Sequence, residues 1–213
     1  GGNQFGLALT RRLRDFGHQV IFDLQDRDID LILLTDPRVG LKSCAYAHEE
    51  ILDYLNDVNS DCIVIHRINE CDERKDSKGL NSLLRYSNGI ADHTIFVSSW
   101  LRDLHLSQGM EAYPNTVILN GPDQNIFNPN GYRNWSGSGP IKLITHHWGS
   151  NWKKGFDIYQ RIDELVGKRW KGLFEFTYIG NLPEGFFLSN SGYQRPLSGK
   201  PLADAIKRNH VYI

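Results

Sequence analysis

Apolar residues in this chain fall into short continuous runs, separated by stretches in which they return every three or four positions. The first pattern predicts buried strands and the second amphipathic helices. Phe5, Leu9, Leu13 and Phe16 share one face of a helix over residues 5–16, and Gly17 follows as its stop. Strand-like runs cover residues 18–23 and 30–35, the second closed by the turn signal Asp36-Pro37. A helix over 46–57 turns Ile51, Leu52 and Leu55 inward. A strand at 62–65, a helix at 79–88 and a strand at 93–97 come next. Ser98 or Ser99 then caps a helix to about Leu106, and 115–119 form a further strand.

Residues 128–140 break this rhythm with Asn128-Pro129-Asn130-Gly131 and Ser136-Gly137-Ser138-Gly139-Pro140. The pattern then restarts with a strand at 141–145 and a helix at 155–166 carrying Phe156, Tyr159, Ile162 and Leu165. A strand at 173–179, a short helix at 201–208 and a strand at 210–213 complete it. The strands are Ile/Val/Leu-rich rather than alternating, as in parallel sheets covered by helices on both faces. The expected class is therefore α/β, with right-handed crossovers and Rossmann-like halves. The expected division is a first domain over 1–130, a linker over 131–140 and a partial second domain over 141–213.

The near-neutral net charge of −1 gives no electrostatic reason to expect nucleic acid or an anionic membrane. Cys44, Cys62 and Cys71 lack the spacing of a disulfide framework or zinc site, which fits reduced thiols in the cytoplasm. No apolar run is long enough to span a bilayer, although docking at the inner membrane surface is compatible with the sequence. The chain opens on a glycine turn and closes within a strand-like run, so it reads as truncated at both ends.

Three constellations carry candidate chemistry. Gly1-Gly2-Asn3-Gln4-Phe5-Gly6 leads into a helix, where backbone amides favour an anion. The strand at 62–65 runs into His66, Arg67, Asn69, Glu70, Asp72 and Glu73, a polar loop at a strand's carboxyl end. His66 is expected at the strand end, facing a cleft; the competing reading is a solvated, salt-bridged loop. The strand at 141–145 leads to His146-His147-Trp148 and then to Lys154-Gly155 at a helix start, a local anion site that suits a diphosphate. Adjacent histidines are a poor chelating pair, and no metal is expected.

At these residues the sequence resembles the retaining GT-B glycosyltransferases of family 4. The opening glycines, the helix after them and "GHQVIFD" resemble the family's N-terminal glycine loop, helix and second strand. "ADHTIFVSSWLRD" resembles its strand-then-serine segment, and "VILNGPDQNIFNP" its Asn-Gly-Val-Asp…Phe-x-Pro signature, with Pro122 in place of valine. "KLITHHWGSNWKKGFDIY" is similar to the start of the donor domain, and "FEFTYIGN" to its next strand. The resemblance spans essentially the whole chain and implies a GT-B-like fold with an incomplete second domain. It implies transfer of a sugar from a nucleoside diphosphate sugar, a co-substrate and not a bound cofactor, to a glycan or lipid-linked hydroxyl in bacterial polysaccharide or glycolipid synthesis.

By position, the resemblance places Gly2, Asn3, Lys154 and Gly155 at the donor diphosphate, with His147 as the substitute for a missing arginine, and matches His66 to a cleft histidine. Among the candidate catalytic residues, Arg67 would join Lys154 in stabilising the departing diphosphate, and His66 and Glu70 would position the acceptor. Trp148 stands where the family has a phosphate-binding arginine. The family's paired-glutamate motif has no counterpart in these residues, which implies poor activity for the fragment by itself. Its exposed sheet edges would favour self-association. Other readings are a different GT-B enzyme, such as a sugar-nucleotide epimerase or a phosphorylase, and a noncatalytic sugar-nucleotide- or glycan-binding module.

Overall fold

The computed structural model describes residues 2–40, 44–75 and 77–213, without the side chains of Gly2 and Asn3. The chain divides into two compact units, Gly1–Asn120 and Gly121–Ile213. Each is α/β and carries a four-stranded parallel sheet, as the strand and helix alternation predicts.

In the first unit the elements are α1 (Gly2–Asp15), β1 (Leu31–Leu34), α2 (His48–Asp57), β2 (Ile63–Ile68), α3 (Asp72–Lys75), α4 (Leu80–Ser87), β3 (His93–Phe96), α5 (Ser99–Ser107) and β4 (Asn115–Val117). The sheet order is β1-β2-β3-β4, with Leu34 beside His66 and Ile68 beside Phe96. The strand side chains that face α2, α4 and α5 form the core. Ile32, Leu34 and Val64 pack on Ile51 and Tyr54, while Ile68 and Phe96 pack on Leu84 and Leu101. Ser98 caps α5 as expected, its hydroxyl accepting from the Leu101 amide at 3.1 Å.

Four expectations are corrected here. The glycine-rich opening is not a loop, since α1 already begins at Gly2. Phe16 points outward, 65% exposed, beneath the Arg12 guanidinium. Residues 18–23 form coil: no neighbouring strand supplies a ladder, and the Val20 carbonyl accepts instead from Arg14 Nη2 at 3.0 Å. Burial on both sheet faces also fails for the first unit, because Leu31 and Ile63 are about half exposed (48% and 50%).

The second unit comprises β5 (Ile141–His147), α6 (Phe156–Gly167), β6 (Phe174–Gly180), β7 (Gly192–Gln194), α7 (Gly199–Lys207) and β8 (Val211–Tyr212). Its strand order is β7-β6-β5-β8, so the chain winds outward from β5 in one direction and then returns to its other side. Residues 121–130, expected with the first domain, belong to this unit. Phe127 packs on the Ile144, Ile179 and Leu202 cluster, and Lys207 Nζ donates to Asn128 Oδ1 at 3.2 Å.

α6 covers one sheet face with Phe156 and Tyr159, which pack on Phe176 and Tyr178. Fully burying a phenylalanine such as Phe156 contributes about 1.5–3 kcal/mol. The same helix carries Asp163, whose carboxylate is 6% exposed as a residue and accepts from the Ser189 and Asn190 amides at 3.0 and 2.9 Å. This clasp ties the long β6–β7 connection to α6. Burial raises the Asp163 pKa, but the nearby Ser191 hydroxyl and the hydrogen bonds from Ser189 and Asn190 outweigh it and leave the value below the usual carboxylate range.

Replacing Asp163 by alanine strands two amide donors and should cost about 2–4 kcal/mol. Four of the five tryptophans (Trp135, Trp148, Trp152 and Trp170) lie in this unit, so urea unfolding followed by tryptophan fluorescence measures it directly. Because the folded pKa is depressed, the clasp's contribution is complete above the unfolded value and is lost as pH falls through the folded one. Unchanged stability in Asp163→Ala would remove the clasp from the account.

Candidate functional site

Parallel strands deliver all their carboxyl ends to one edge of a sheet, where the following loops converge. In the first unit, β2 reaches Ile68 rather than ending before His66. His66 is consequently an interior residue, 0% exposed, and does not face a cleft. Its Nδ1 lies 3.0 Å from Asn88 Oδ1, which also accepts from Thr94 Oγ1 at 2.9 Å. Asn88 Oδ1 is an acceptor, so Nδ1 carries the proton. Nε2 is buried without a hydrogen-bond partner. Burial, opposed by the Asn88 bond and reinforced by His105 and His48, pushes the pKa down to about 4. His66 is thus a neutral core residue at physiological pH.

Arg67, on the opposite side of the strand, is 5% exposed; its Nη2 donates to Asn120 Oδ1 at 2.8 Å, and its guanidinium lies 3.8 Å from the centre of the Phe5 ring. Glu70 is half-buried and ion-paired with Lys75 at 3.0 Å, while its carbonyl lies 3.1 Å from His105 Nε2. Beyond β1, Asp36 pairs with Arg38, whose Nε donates to Oδ1 at 2.8 Å. The polar loop therefore has the salt-bridged character of the competing reading at Glu70, whereas Arg67 has no carboxylate partner among the described residues. Gly2 and Asn3 open α1 as backbone, and the Asn3 side chain lies outside the described residues.

The second unit gathers its candidates more closely. β5 and β6 pair from Ile141–Phe174 to His147–Gly180. A Cβ on Gly180 would sit 1.9 Å from the His147 carbonyl oxygen, and its φ is +151°, so only glycine permits this approach. His147 is held by Tyr159: Nε2 and the hydroxyl are hydrogen-bonded, and the rings stack with centroids 5.6 Å apart. Burial, with Lys154 and His146 adding to it, lowers the His147 pKa. That ring is neutral at physiological pH and has Lys154 as a near neighbour.

The loop from His147 to α6 is locally programmed. Asn151 Oδ1 accepts from the Lys153 amide at 2.8 Å, and its carbonyl accepts from the Lys154 amide at 2.9 Å, which closes the Trp152–Lys154 turn. Gly155 follows with φ +90° and redirects the chain into α6, where the first-turn amides are available, as at any helix start. Lys154 makes no ion pair among the described residues. Trp148 and Trp152 flank the loop, 72% and 51% exposed. The structure thus brings His147, Lys154 and Gly155 together.

Sequence reasoning missed two neighbours. Tyr159, read only as core, fixes His147. Tyr212, at the end of β8, has its hydroxyl 2.9 Å from His146 Nδ1. β5 and β8 flank the point where strand order reverses, the place where open α/β sheets hold ligands. A separate cleft of about 390 Å3 between Phe127, Tyr132, Ile206 and Tyr212 brings none of the predicted donor-site residues to its walls. Among the described residues no cluster of His, Cys, Asp and Glu could hold a metal, and no helix is long and apolar enough to cross a membrane.

No protein-family model matches the chain, and no curated protein does. Among solved structures, S. aureus MnaA in a co-structure with UDP is similar at 13% identity and a TM-score of 0.46, over 95% of this chain and 53% of that one. A Listeria monocytogenes protein assigned as a UDP-N-acetylglucosamine 2-epimerase is similar at 14% identity and 0.42, over 81% of this chain and 48% of that one. The chain spans about half the length of these structures. Neither likeness is close enough to carry a function, which rests on the residues themselves.

His66 yields a test of its interior placement. Its folded pKa of about 4 lies below the ordinary 6.5, so its contribution is complete above pH 6.5 and is lost as pH falls towards 4. The loss should reach about 3 kcal/mol. Hydrogen exchange of the β2 and β3 amides should show that extra acid sensitivity in the native chain and not in His66→Gln. Equal slopes in both would place the titration elsewhere.

Proposed function

We propose that this chain handles a nucleoside diphosphate sugar as part of a GT-B-type glycosyltransferase, moving the sugar to a hydroxyl of a glycan or lipid-linked acceptor. The observation that supports it is the turn that sets Lys154, a cation without an ion-pair partner among the described residues, at the start of α6. A lysine ammonium and a helix N-terminus favour the same ligand, a multiply charged anion such as a diphosphate. In sugar transfer negative charge grows on the departing diphosphate, and fixed positive groups lower the barrier by meeting it. His147, neutral and held by Tyr159, would offer a hydrogen bond beside that charge without adding to the cationic field. Gly155 keeps the approach to the helix amides open. Trp148 in the arginine position of the resembling family leaves Lys154 as the main side-chain cation of this clamp.

Calorimetry with UDP, GDP and ADP sugars tests the reading. One nucleotide should bind saturably, and Lys154→Ala should weaken it by about 10- to 100-fold, the loss of one charge-assisted contact of about 1.5–3 kcal/mol. Lys154→Arg should keep part of the affinity. Product analysis then separates transfer, which lengthens an acceptor, from epimerisation, which returns an altered free sugar nucleotide. Binding of no nucleotide, or binding indifferent to Lys154→Ala, would defeat the proposal.

A further inference from the structure

The first unit contains a cation that no described carboxylate neutralises. Arg67 is only 5% exposed, and this burial disfavours its charged form. Among the described residues no carboxylate reaches it. One hydrogen bond goes to the neutral carboxamide of Asn120, and Phe5 lies against the guanidinium. A guanidinium has five N–H donors in a planar fork, so most of its capacity is unused. The surroundings add positive character. Phe5 belongs to the first turn of α1, a helix of 14 residues whose first turn has no acidic side chain. A cation beside the positive end of a helix dipole is unfavourable unless an anion joins them. Nearby charges show a different arrangement, since Arg38 and Lys75 each have a carboxylate partner. Arg67 also lies one residue from the carboxyl end of β2, at the ligand-binding edge of a parallel sheet.

We propose that Arg67, with Asn120 and the start of α1, anchors an oxyanion carried by the acceptor substrate, a phosphate or a carboxylate. The assignment to the acceptor rests on the transferase reading above, in which Lys154 serves the donor; the anion site itself does not depend on it. Phe5 and Asn120 hold the guanidinium plane in place, so a bidentate contact forms with little loss of side-chain freedom.

The test follows the Nε–H resonance of Arg67 in the full chain while methyl phosphate or sodium glucuronate is added. One of the two should shift it saturably, and the preference identifies the anion as phosphate or carboxylate. Arg67→Met should weaken that binding at least tenfold, measured by calorimetry. Because no carboxylate among the described residues pairs with the buried charge, Arg67→Met should also melt at or above the temperature of the native protein. A lower melting temperature would show a structural cation and overturn the proposal. So would the absence of binding by either probe. A tenfold loss of nucleoside diphosphate affinity in Arg67→Met would assign the anion to the donor and overturn the acceptor role. Intact phosphate binding without any nucleotide binding would instead sink the transferase reading and leave the anion site standing.

Discussion

The parallel ladder between β5 and β6 is the constraint on which the candidate donor site depends. It runs in register for seven residue pairs and ends with His147 against Gly180. Because Gly180 has no side chain, the two strand ends come close enough for β5 to stay paired through His147. This fixes the direction in which residues 148–155 leave the sheet. It also places the His147 ring against Tyr159 of α6, so the helix and the strand end are locked together. The Asn151-centred turn and the left-handed Gly155 then carry Lys154 to the start of that same helix. The aromatic packing of Phe156, Tyr159 and Tyr178 behind it supplies rigidity, so the charge is presented by a fixed frame.

Charge is treated differently at different places along the chain. Asp36 with Arg38 and Glu70 with Lys75 neutralise each other locally, and such half-exposed pairs add little to stability. Among the described residues, Arg67 and Lys154 have no carboxylate partner. Unpaired cations at strand ends and helix starts are poor devices for holding a fold together. They are good devices for meeting an anion, because their orientation is settled before it arrives. His66 is the opposite case. It has the residue type expected of a catalytic group, but burial and the Asn88 hydrogen bond make it part of the interior.

Much of this was legible in the amino-acid order. The Ile/Val/Leu runs marked seven of the eight strands, Ser98 marked the α5 cap, and Lys154-Gly155 marked the start of α6. What could not be read were pairings across distance. The run at 18–23 has strand-like composition, but a strand exists only where a neighbour accepts its hydrogen bonds. β7 is three residues of Gly-Tyr-Gln, too short and polar for its pattern to register. The side of β2 on which His66 falls depends on where the strand stops, and a three-residue extension turned an expected cleft residue into a core one. Tyr159 and Asp163 both lie on a predicted amphipathic helix, where nothing local distinguishes core filling from holding His147 or clasping the 189–191 backbone.

The most direct measurement of the central claim is an amide chemical-shift map of the chain as a nucleoside diphosphate is added. The account predicts that the largest shifts fall on Gly155, Phe156, Asp157 and Ile158, with the Trp148 and Trp152 indoles following at the same concentrations. Shifts centred elsewhere, or none at saturating nucleotide, would contradict the assignment of this loop and helix start as the diphosphate site.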